Sequence, residues 1–152
     1  MTSPPEDGLV RCGWADNGSE LYRDYHDQEW GRPVRGRTAL FERISLEAFQ
    51  SGLSWLVILR KRENFRRAFA DFDIETVARY TDADVARLMD DVGIVRNRAK
   101  IEATISNARA TIDLESTDLA ELLWSFAPPS RPRPVDLSAI PAVTPESTAM
   151  SR

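Results

Sequence analysis

The 152-residue sequence has little of several features that define large classes of proteins. Its one cysteine excludes an internal disulfide framework and is compatible with the reducing conditions of a cytoplasm. The apolar run Leu56–Leu59 is far shorter than the roughly 20 residues that a membrane-spanning helix needs. No secretory signal is visible, because the amino terminus has neither a basic start nor an apolar stretch. We therefore expect a cytoplasmic protein without a membrane partner.

The spacing of apolar residues from about Tyr22 to Phe126 follows the period of a helix and predicts an all-α fold, a helical bundle. The first long helix is predicted to begin near Thr38 and to end at Gly52, because glycine adopts the left-handed C-cap conformation without steric cost. Ser54 is predicted to cap the next helix with its side chain. Four more helix starts are predicted at Asp73, Thr81, Asn97 and Asp118.

The chain is predicted to have three parts. Residues 1–10 form a flexible arm, and residues 11–126 form the helical domain, which contains a hairpin near residues 91–100. Residues 127–152 form an irregular tail, because six of the nine prolines lie between Pro128 and Pro145.

Rare residue types gather between Arg11 and Gly31. This segment holds the only cysteine and the only histidine, two of the four tryptophans and two of the three tyrosines. Cys12 and His26 have the chemistry of zinc ligands, but a structural zinc site needs four ligands and the chain has no other Cys or His. From these residues alone, a buried cysteine and an ordinary histidine are the better interpretation.

Tyr22 and Tyr25 lie three residues apart and therefore on one side of a helical turn. Exposed together, such rings stack on planar ligands, among which nucleobases are the commonest. The alternative, that both rings fill the core, is at least as well supported by the spacing.

Glu47 and Trp55 flank the predicted break at Gly52. Glu47 is spaced to lie beside apolar positions of its helix, where a carboxylate needs hydrogen bonds or its pKa rises. Such carboxylates are enriched at functional sites, although the residues alone slightly favour a solvated edge position. Trp55 follows the break, where a junction of two helices can expose one ring face to a cleft.

A net charge of −4 argues against a protein held to DNA by bulk charge, but local basic surfaces are present. Residues 60–67 carry five positive charges and one negative charge. A predicted hairpin of helix, residues 93–97 and helix carries further basic residues, Arg96, Arg98 and Lys100. The free N–H groups at the start of a helix bind phosphate, so this hairpin is a candidate grip on a DNA backbone. The alternative is a solvated charged face.

Taken in order, these stretches resemble the DNA-3-methyladenine glycosylase I family of the helix-hairpin-helix superfamily. The matching segments are Arg11–Trp14, Tyr22–Asp27, Glu29–Gly31, Leu46–Glu47, Gln50–Trp55, Lys61–Asn64, Gly93–Arg98, Lys100–Ile101, Asn107–Arg109 and Trp124–Phe126. The order of the motifs is highly specific, whereas no single motif is.

The resemblance implies a bacterial base-excision repair enzyme, expected to act as a monomer on alkylated double-stranded DNA. Such an enzyme flips 3-methyladenine out of the duplex and hydrolyses its glycosidic bond. In the family, Glu47 would bind the methylated base and serve as the catalytic residue. The implied pocket residues are Tyr22, Tyr25, Trp30 and Trp55, and the implied contacts to the DNA backbone are Gly93, Arg96, Arg98 and Lys100.

The resemblance also implies a structural zinc ion, for which Cys12 and His26 supply two ligands. Family members continue past the position of Arg152, with the other two ligands and a helix that lines the pocket. Zinc binding by this sequence is therefore expected only if two ligands come from elsewhere. Two other hypotheses follow: a catalytically inactive DNA-binding fragment of the family, and a helical interaction module whose aromatic residues form a core.

Overall fold

The computed structural model describes residues 7–16, 18–114, 117–132 and 134–152 and divides the chain into two compact units. The first unit comprises Met1–Pro33 and Pro132–Ala142, and the second comprises Val34–Arg131 and Val143–Arg152. All regular elements in the described ranges are helical, which confirms the predicted all-α fold. No helix in these ranges is long and apolar enough to cross a membrane.

The first unit contains one α-helix, α1 (Glu20–Gln28), and a short 3₁₀ turn at Leu137–Ala139. Its polar anchor is Arg11, whose guanidinium donates hydrogen bonds to the carboxylates of Asp7 and Asp27 at 2.6–3.0 Å. Arg11, and with it a hydrogen bond from His26, lowers the pKa of Asp27 to about 2. The segment before α1 is thereby fixed to the last turn of the helix.

The second unit is built from the remaining helices. They are α2 (Arg37–Gln50), α3 (Trp55–Ala68), α4 (Ile74–Ala78), α5 (Asp82–Asp90), α6 (Arg98–Ile112), α7 (Leu119–Trp124) and α8 (Pro145–Met150), with a short turn at Ala70–Phe72 between α3 and α4. Contacts between α4 and α6 are the most extensive of any pair of these elements.

Phenylalanine side chains form the centre of the second unit. Five of the six phenylalanines are at most 2% exposed, and neighbouring ring centroids lie 4.7–6.4 Å apart. The five are Phe41, Phe49, Phe65, Phe69 and Phe72. Since burial of each ring contributes on the order of 2–3 kcal/mol, this cluster fixes the ends of α2 and α3.

The structure confirms the predicted helix starts. Side chains of Ser54, Asp73, Asn97 and Asp118 accept hydrogen bonds from the first turns of α3, α4, α6 and α7. Thr81 and Asp84 form a reciprocal capping box at α5. These caps are local, so a short stretch of sequence is enough to specify each of them.

The predicted tail differs from the structure at its end. Residues 127–152 were expected to be irregular, but Pro145–Met150 form the helix α8, capped by Thr144. Proline is tolerated here because it occupies the first helical position, where its missing N–H would have no helical partner. The predicted division of the chain into an arm, a domain and a tail stays a prediction. Residues 1–6 of the arm lie outside the described ranges.

Candidate functional site

Glu47 lies on α2, one turn before the helix ends, and its side chain reaches the surface. Partial loss of hydration raises the pKa of this carboxyl above its ordinary value, and the positive charge of Arg43 opposes that rise. The position therefore combines the two interpretations of the sequence, because the residue is exposed while its carboxyl group is partly desolvated. A carboxylate in such a position is suited to meet a cationic ligand.

Trp55 is the first residue of α3 and packs, half-buried, against the core of the second unit. The guanidinium carbon of Arg43 lies 5.8 Å from the centroid of its indole ring. Arg43 therefore connects Glu47 and Trp55, which the chain separates by eight residues. Arg43 was not predicted from the sequence, although its spacing of four from Glu47 places both residues on one helix face.

The turn between α2 and α3 has two fixed points. Gly52 adopts the left-handed conformation, with φ of +80°, directly after the helix cap at Ser51. The Lys100 ammonium donates hydrogen bonds to the carbonyl oxygens of Phe49 at 2.9 Å and of Ser51 at 2.6 Å. Lys100, predicted as a contact to the DNA backbone, is thus hydrogen-bonded to the protein's own backbone.

The hairpin between α5 and α6 spans residues 91–97. The Gly93 N–H donates to the Asp91 carboxylate at 2.8 Å, and the Asn64 amide donates to the Gly93 carbonyl at 3.1 Å. Lys61 also reaches the carbonyl oxygens of Val92 and Gly93, at 3.4 Å each. Two residues of α3, both within the motif Lys61–Asn64, therefore hold the hairpin.

Arg96 and Arg98 are exposed beside this hairpin. The Arg98 guanidinium forms an ion pair with Glu102 at 3.5 Å, in which both side chains are more than half exposed. Such a pair is weak in water, so its charge stays available for a phosphate. The predicted DNA-backbone contacts thus fall into two groups, with Arg96 and Arg98 exposed and Lys100 partly buried and bonded to backbone carbonyl groups.

Aromatic side chains of the first unit surround Trp14. Its ring lies 5.3 Å from the Tyr22 ring, 6.2 Å from Tyr25, 5.2 Å from His26 and 5.5 Å from Trp30. Tyr25 is buried, whereas Trp30 is 41% exposed. The predicted pocket residues Tyr22, Tyr25 and Trp30 therefore belong to one cluster around Trp14.

Cys12 and His26 lie close together in this unit. The Cys12 N–H donates to His26 Nε2 at 3.3 Å, and His26 Nδ1 pairs with the Asp27 carboxylate at 2.9 Å. Both ring nitrogens therefore have protein partners, and the described ranges hold no group of three or more residues able to bind a metal ion. The residues of this chain do not fit a complete tetrahedral zinc site.

The residues predicted to bind the base belong to both units. Tyr22, Tyr25 and Trp30 lie in the first, whereas Glu47 and Trp55 lie in the second. The geometry of the second unit alone brings together a carboxylate, an indole, two constrained turns and exposed arginines. This combination suits the recognition of a cationic aromatic group and of a phosphate backbone.

Known proteins resemble this chain in sequence. A family model described as methyladenine glycosylase matches residues 14–152. DNA-3-methyladenine glycosylase 1 of Escherichia coli (strain K12) is 44% identical over 148 residues, which cover 95% of this chain and 79% of that protein. DNA-3-methyladenine glycosylase of Haemophilus influenzae is 40% identical over 150 residues, with coverage of 94% and 79%.

Solved structures of the same family are also similar to this chain. A crystal structure of 3-methyladenine DNA glycosylase I superposes with a TM-score of 0.87 and 43% identity, covering 93% of this chain and 80% of that one. The enzyme of Staphylococcus aureus, solved to explain its recognition of 3-methyladenine, has a TM-score of 0.83 and 34% identity, covering 93% and 77%. The family predicted from the motifs is confirmed: the chain belongs to the methyladenine glycosylase family.

Proposed function

We propose that this protein is a DNA-3-methyladenine glycosylase, which removes the methylated base from alkylated duplex DNA by hydrolysis. The observation that carries the proposal is 44% identity, across 95% of the chain, to a protein of that activity. A relative of 33% identity and TM-score 0.83 has been solved in complex with 3-methyladenine. The bacterial cytoplasm is where such a substrate occurs, and we expect the enzyme to act there as a monomer.

The chemistry asks little of the protein. Adenine methylated at N3 is a cation while it is attached to the sugar, so the bond between the sugar and the base breaks with its electron pair moving to the base. The base leaves neutral, water adds to the sugar carbon, and one proton is released. A general acid is therefore unnecessary. Binding of the cation and stabilisation of positive charge on the sugar are what remain for the enzyme.

Glu47 and Trp55 are the residues to which we assign these tasks. The indole face of Trp55 attracts a cationic base, and the Glu47 carboxylate complements its charge. Desolvation strengthens that attraction, because a partly dehydrated carboxylate interacts with a nearby cation through a medium of lower dielectric constant. Tyr22, Tyr25 and Trp30 stay proposed as pocket residues.

The hairpin is assigned to the DNA backbone. Gly93 shapes the turn, and Arg96 and Arg98 offer exposed charge beside the start of α6. Contacts of this kind position the duplex without reading its sequence, which suits an enzyme whose lesions occur in any context.

The test is the release of 3-methyladenine from methylated duplex DNA under single-turnover conditions. We expect wild-type protein to release the base and Glu47→Gln to be slower by about a hundredfold, because the charge is lost while the shape is kept. Glu75→Gln is the matched control. Glu75 is an exposed glutamate of α4, with Arg37 at 4.0 Å, and we expect no change in rate.

Two outcomes contradict the proposed function, and a third contradicts the role of Glu47. Binding to duplex DNA without base release would favour the inactive DNA-binding fragment. The case would be strongest if the logarithm of the affinity falls linearly with the logarithm of the salt concentration and the affinity is the same for damaged and undamaged DNA. Absence of DNA binding even at low salt would favour the helical interaction module. Equal rates for wild type and Glu47→Gln would remove Glu47 from the mechanism.

For zinc we propose that Cys12 and His26 act as ligands only together with two ligands from outside this sequence. Their hydrogen bonds to each other and to Asp27 support the proposal, because they satisfy the imidazole without a metal. We expect far less than one equivalent of zinc in the purified protein by mass spectrometry. One equivalent per chain would contradict this expectation.

A further inference from the structure

We propose that Lys100 is a positioning residue, which holds the turn between α2 and α3 and so fixes Trp55 relative to Glu47. The inference rests on the proposed function for what the two residues do. It departs from the sequence prediction, which assigned Lys100 to the DNA backbone together with Arg96 and Arg98.

The first support is the chemistry of the end of α2. The last carbonyl groups of a helix have no partners within that helix and carry partial negative charge. The Lys100 ammonium donates to the carbonyl oxygens of Phe49 and Ser51 at 2.9 and 2.6 Å. Two of its three protons are therefore used by the protein, and its charge is placed against the negative end of the helix.

The second support is that both ends of this tether are rigid. Phe49 is fully buried in the phenylalanine cluster. Lys100 lies in the first turn of α6, where Asn97 caps its backbone N–H at 3.1 Å and the next residue, Ile101, is fully buried. The side chain of Lys100 thus connects two elements that cannot move independently without breaking the core.

The third support is the shortness of the segment that the tether controls. Only three residues separate Ser51 from Trp55, and the Leu53 N–H donates to the Gln50 carbonyl at 2.6 Å. Glu47 lies one turn before the end of α2. A shift of the Ser51 carbonyl is therefore passed on directly to Trp55, while Glu47 stays with the helix.

The two lysines of the chain make contacts of the same kind. Of its 20 lysine and arginine residues only two are lysines, Lys61 and Lys100. Each of the two donates to a pair of backbone carbonyl oxygens from a different part of the second unit. A compact ammonium with three rotatable donors can donate to two converging carbonyl groups. The Arg109 guanidinium makes a comparable pair of contacts with the carbonyl oxygens of Ala78 and Tyr80, at 2.9 and 2.8 Å.

The two roles for Lys100 predict different kinetics. A positioning residue affects the chemical step, because a displacement of about 1 Å in a reacting group costs as much as a hundredfold in rate. A phosphate contact instead affects the affinity for DNA and the number of counterions that binding releases, about 0.9 for each phosphate.

The experiment compares Lys100→Met with Arg98→Met in DNA binding and in single-turnover base release at saturating enzyme. For Lys100→Met we expect base release to slow by about tenfold to a hundredfold, with the affinity for undamaged duplex and its salt slope unchanged. For Arg98→Met we expect weaker binding and a salt slope smaller by about one. Lys100→Arg should recover part of the lost rate, because a guanidinium can still donate to carbonyl groups.

Two results would overturn the proposal. One is a Lys100→Met variant with unchanged base release at saturation. The other is a salt slope that falls by about one, as for Arg98→Met. If Lys100→Met does not fold, Lys100→Gln takes its place, since an amide keeps one donor group for the same carbonyls, and the same criteria apply.

A direct readout needs no variant activity. The ammonium signals of two lysines can be resolved by NMR of the ¹⁵N-labelled wild-type protein, with Lys100→Arg as the assignment control. We expect slow proton exchange at Lys100 in the free protein and no change when duplex DNA is added. A signal that appears or shifts only with DNA would overturn the tether. If wild-type protein releases no base, the proposed function fails, while this spectrum still decides the tether.

Discussion

The second unit contains two glycine turns that are held in the same way but need their glycines for different reasons. The turn between α2 and α3 contains Gly52 and is held by Lys100, and the hairpin contains Gly93 and is held by Lys61. Gly52 has φ of +80° and nothing within 4 Å of the position that a Cβ atom would take. Its requirement is purely one of backbone conformation.

Gly93 shows the opposite pattern. Its φ lies outside the left-handed region, but a Cβ atom there would come within 2.9 Å of the Asp91 carboxylate and 3.0 Å of the Asn64 amide. Its requirement is one of space. The comparison teaches that Gly52 is required by its own backbone conformation, whereas Gly93 is required by the side chains of Asp91 and Asn64 that approach it.

The largest expected effect is that of Gly93→Ala. The added methyl group must displace Asp91 and Asn64, both of which hydrogen-bond the backbone of Gly93. We expect a loss of about 1–3 kcal/mol in the free energy of unfolding and weaker binding of duplex DNA. Denaturant unfolding and fluorescence anisotropy with undamaged duplex measure the two effects.

A double variant separates space from other causes. Asn64→Ala removes one of the two obstructing side chains, so Gly93→Ala should cost less in that background than in the wild type. Since the residues are in contact, the two changes should not be additive. Full additivity would mean that Gly93 is needed for a reason other than the approach of Asn64.

Substitution of Gly52 should give an effect of intermediate size. The order of the costs of alanine and asparagine should be the reverse of their order at position 93. Gly52→Ala is expected to cost about 1–2 kcal/mol in unfolding free energy, because alanine is strained in the left-handed region. Gly52→Asn should cost less, since asparagine tolerates that conformation. At position 93 asparagine should cost more than alanine, because it is larger. Equal costs of alanine and asparagine at both positions would abolish the distinction.

The same contrast explains how much the sequence could predict. The break at Gly52 and the caps at Ser54 and Asn97 were predicted correctly, because each depends on residues within one helical turn. The tether from Lys100 was not, because its acceptors lie 49 and 51 residues away in the chain. The sequence around a basic residue beside a hairpin is the same whether the side chain binds a phosphate or a backbone carbonyl group.

The candidate site was predictable in part for a related reason. Glu47 and Trp55 were singled out from the local break that separates them, and the motif order identified the family. Arg43 was missed, since its relation to Trp55 depends on how two helices cross. The helix Pro145–Met150 was missed because proline content was weighed over the segment, whereas the first position of a helix accepts proline.

The smallest expected effect concerns the pH dependence of base release, compared with that of DNA binding. Arg43 lowers the pKa of Glu47 against the rise caused by desolvation. Arg43→Met removes that charge, so the pKa of Glu47 should rise further. The ionised carboxylate binds the cationic base, so base release is lost when Glu47 becomes protonated. As the pH falls, this loss should therefore begin at a higher pH in Arg43→Met than in the wild type.

The measurement is the pH profile of single-turnover base release, with Arg43→Lys as the control that keeps the positive charge. The acid limb should move to higher pH in Arg43→Met and stay in place in Arg43→Lys. DNA binding through the hairpin should not follow this limb, because Glu47 lies on α2 and not in the hairpin. If the acid limbs of base release and of DNA binding moved equally, both would depend on one titrating group. The two turns would then not act separately in base release and in DNA binding.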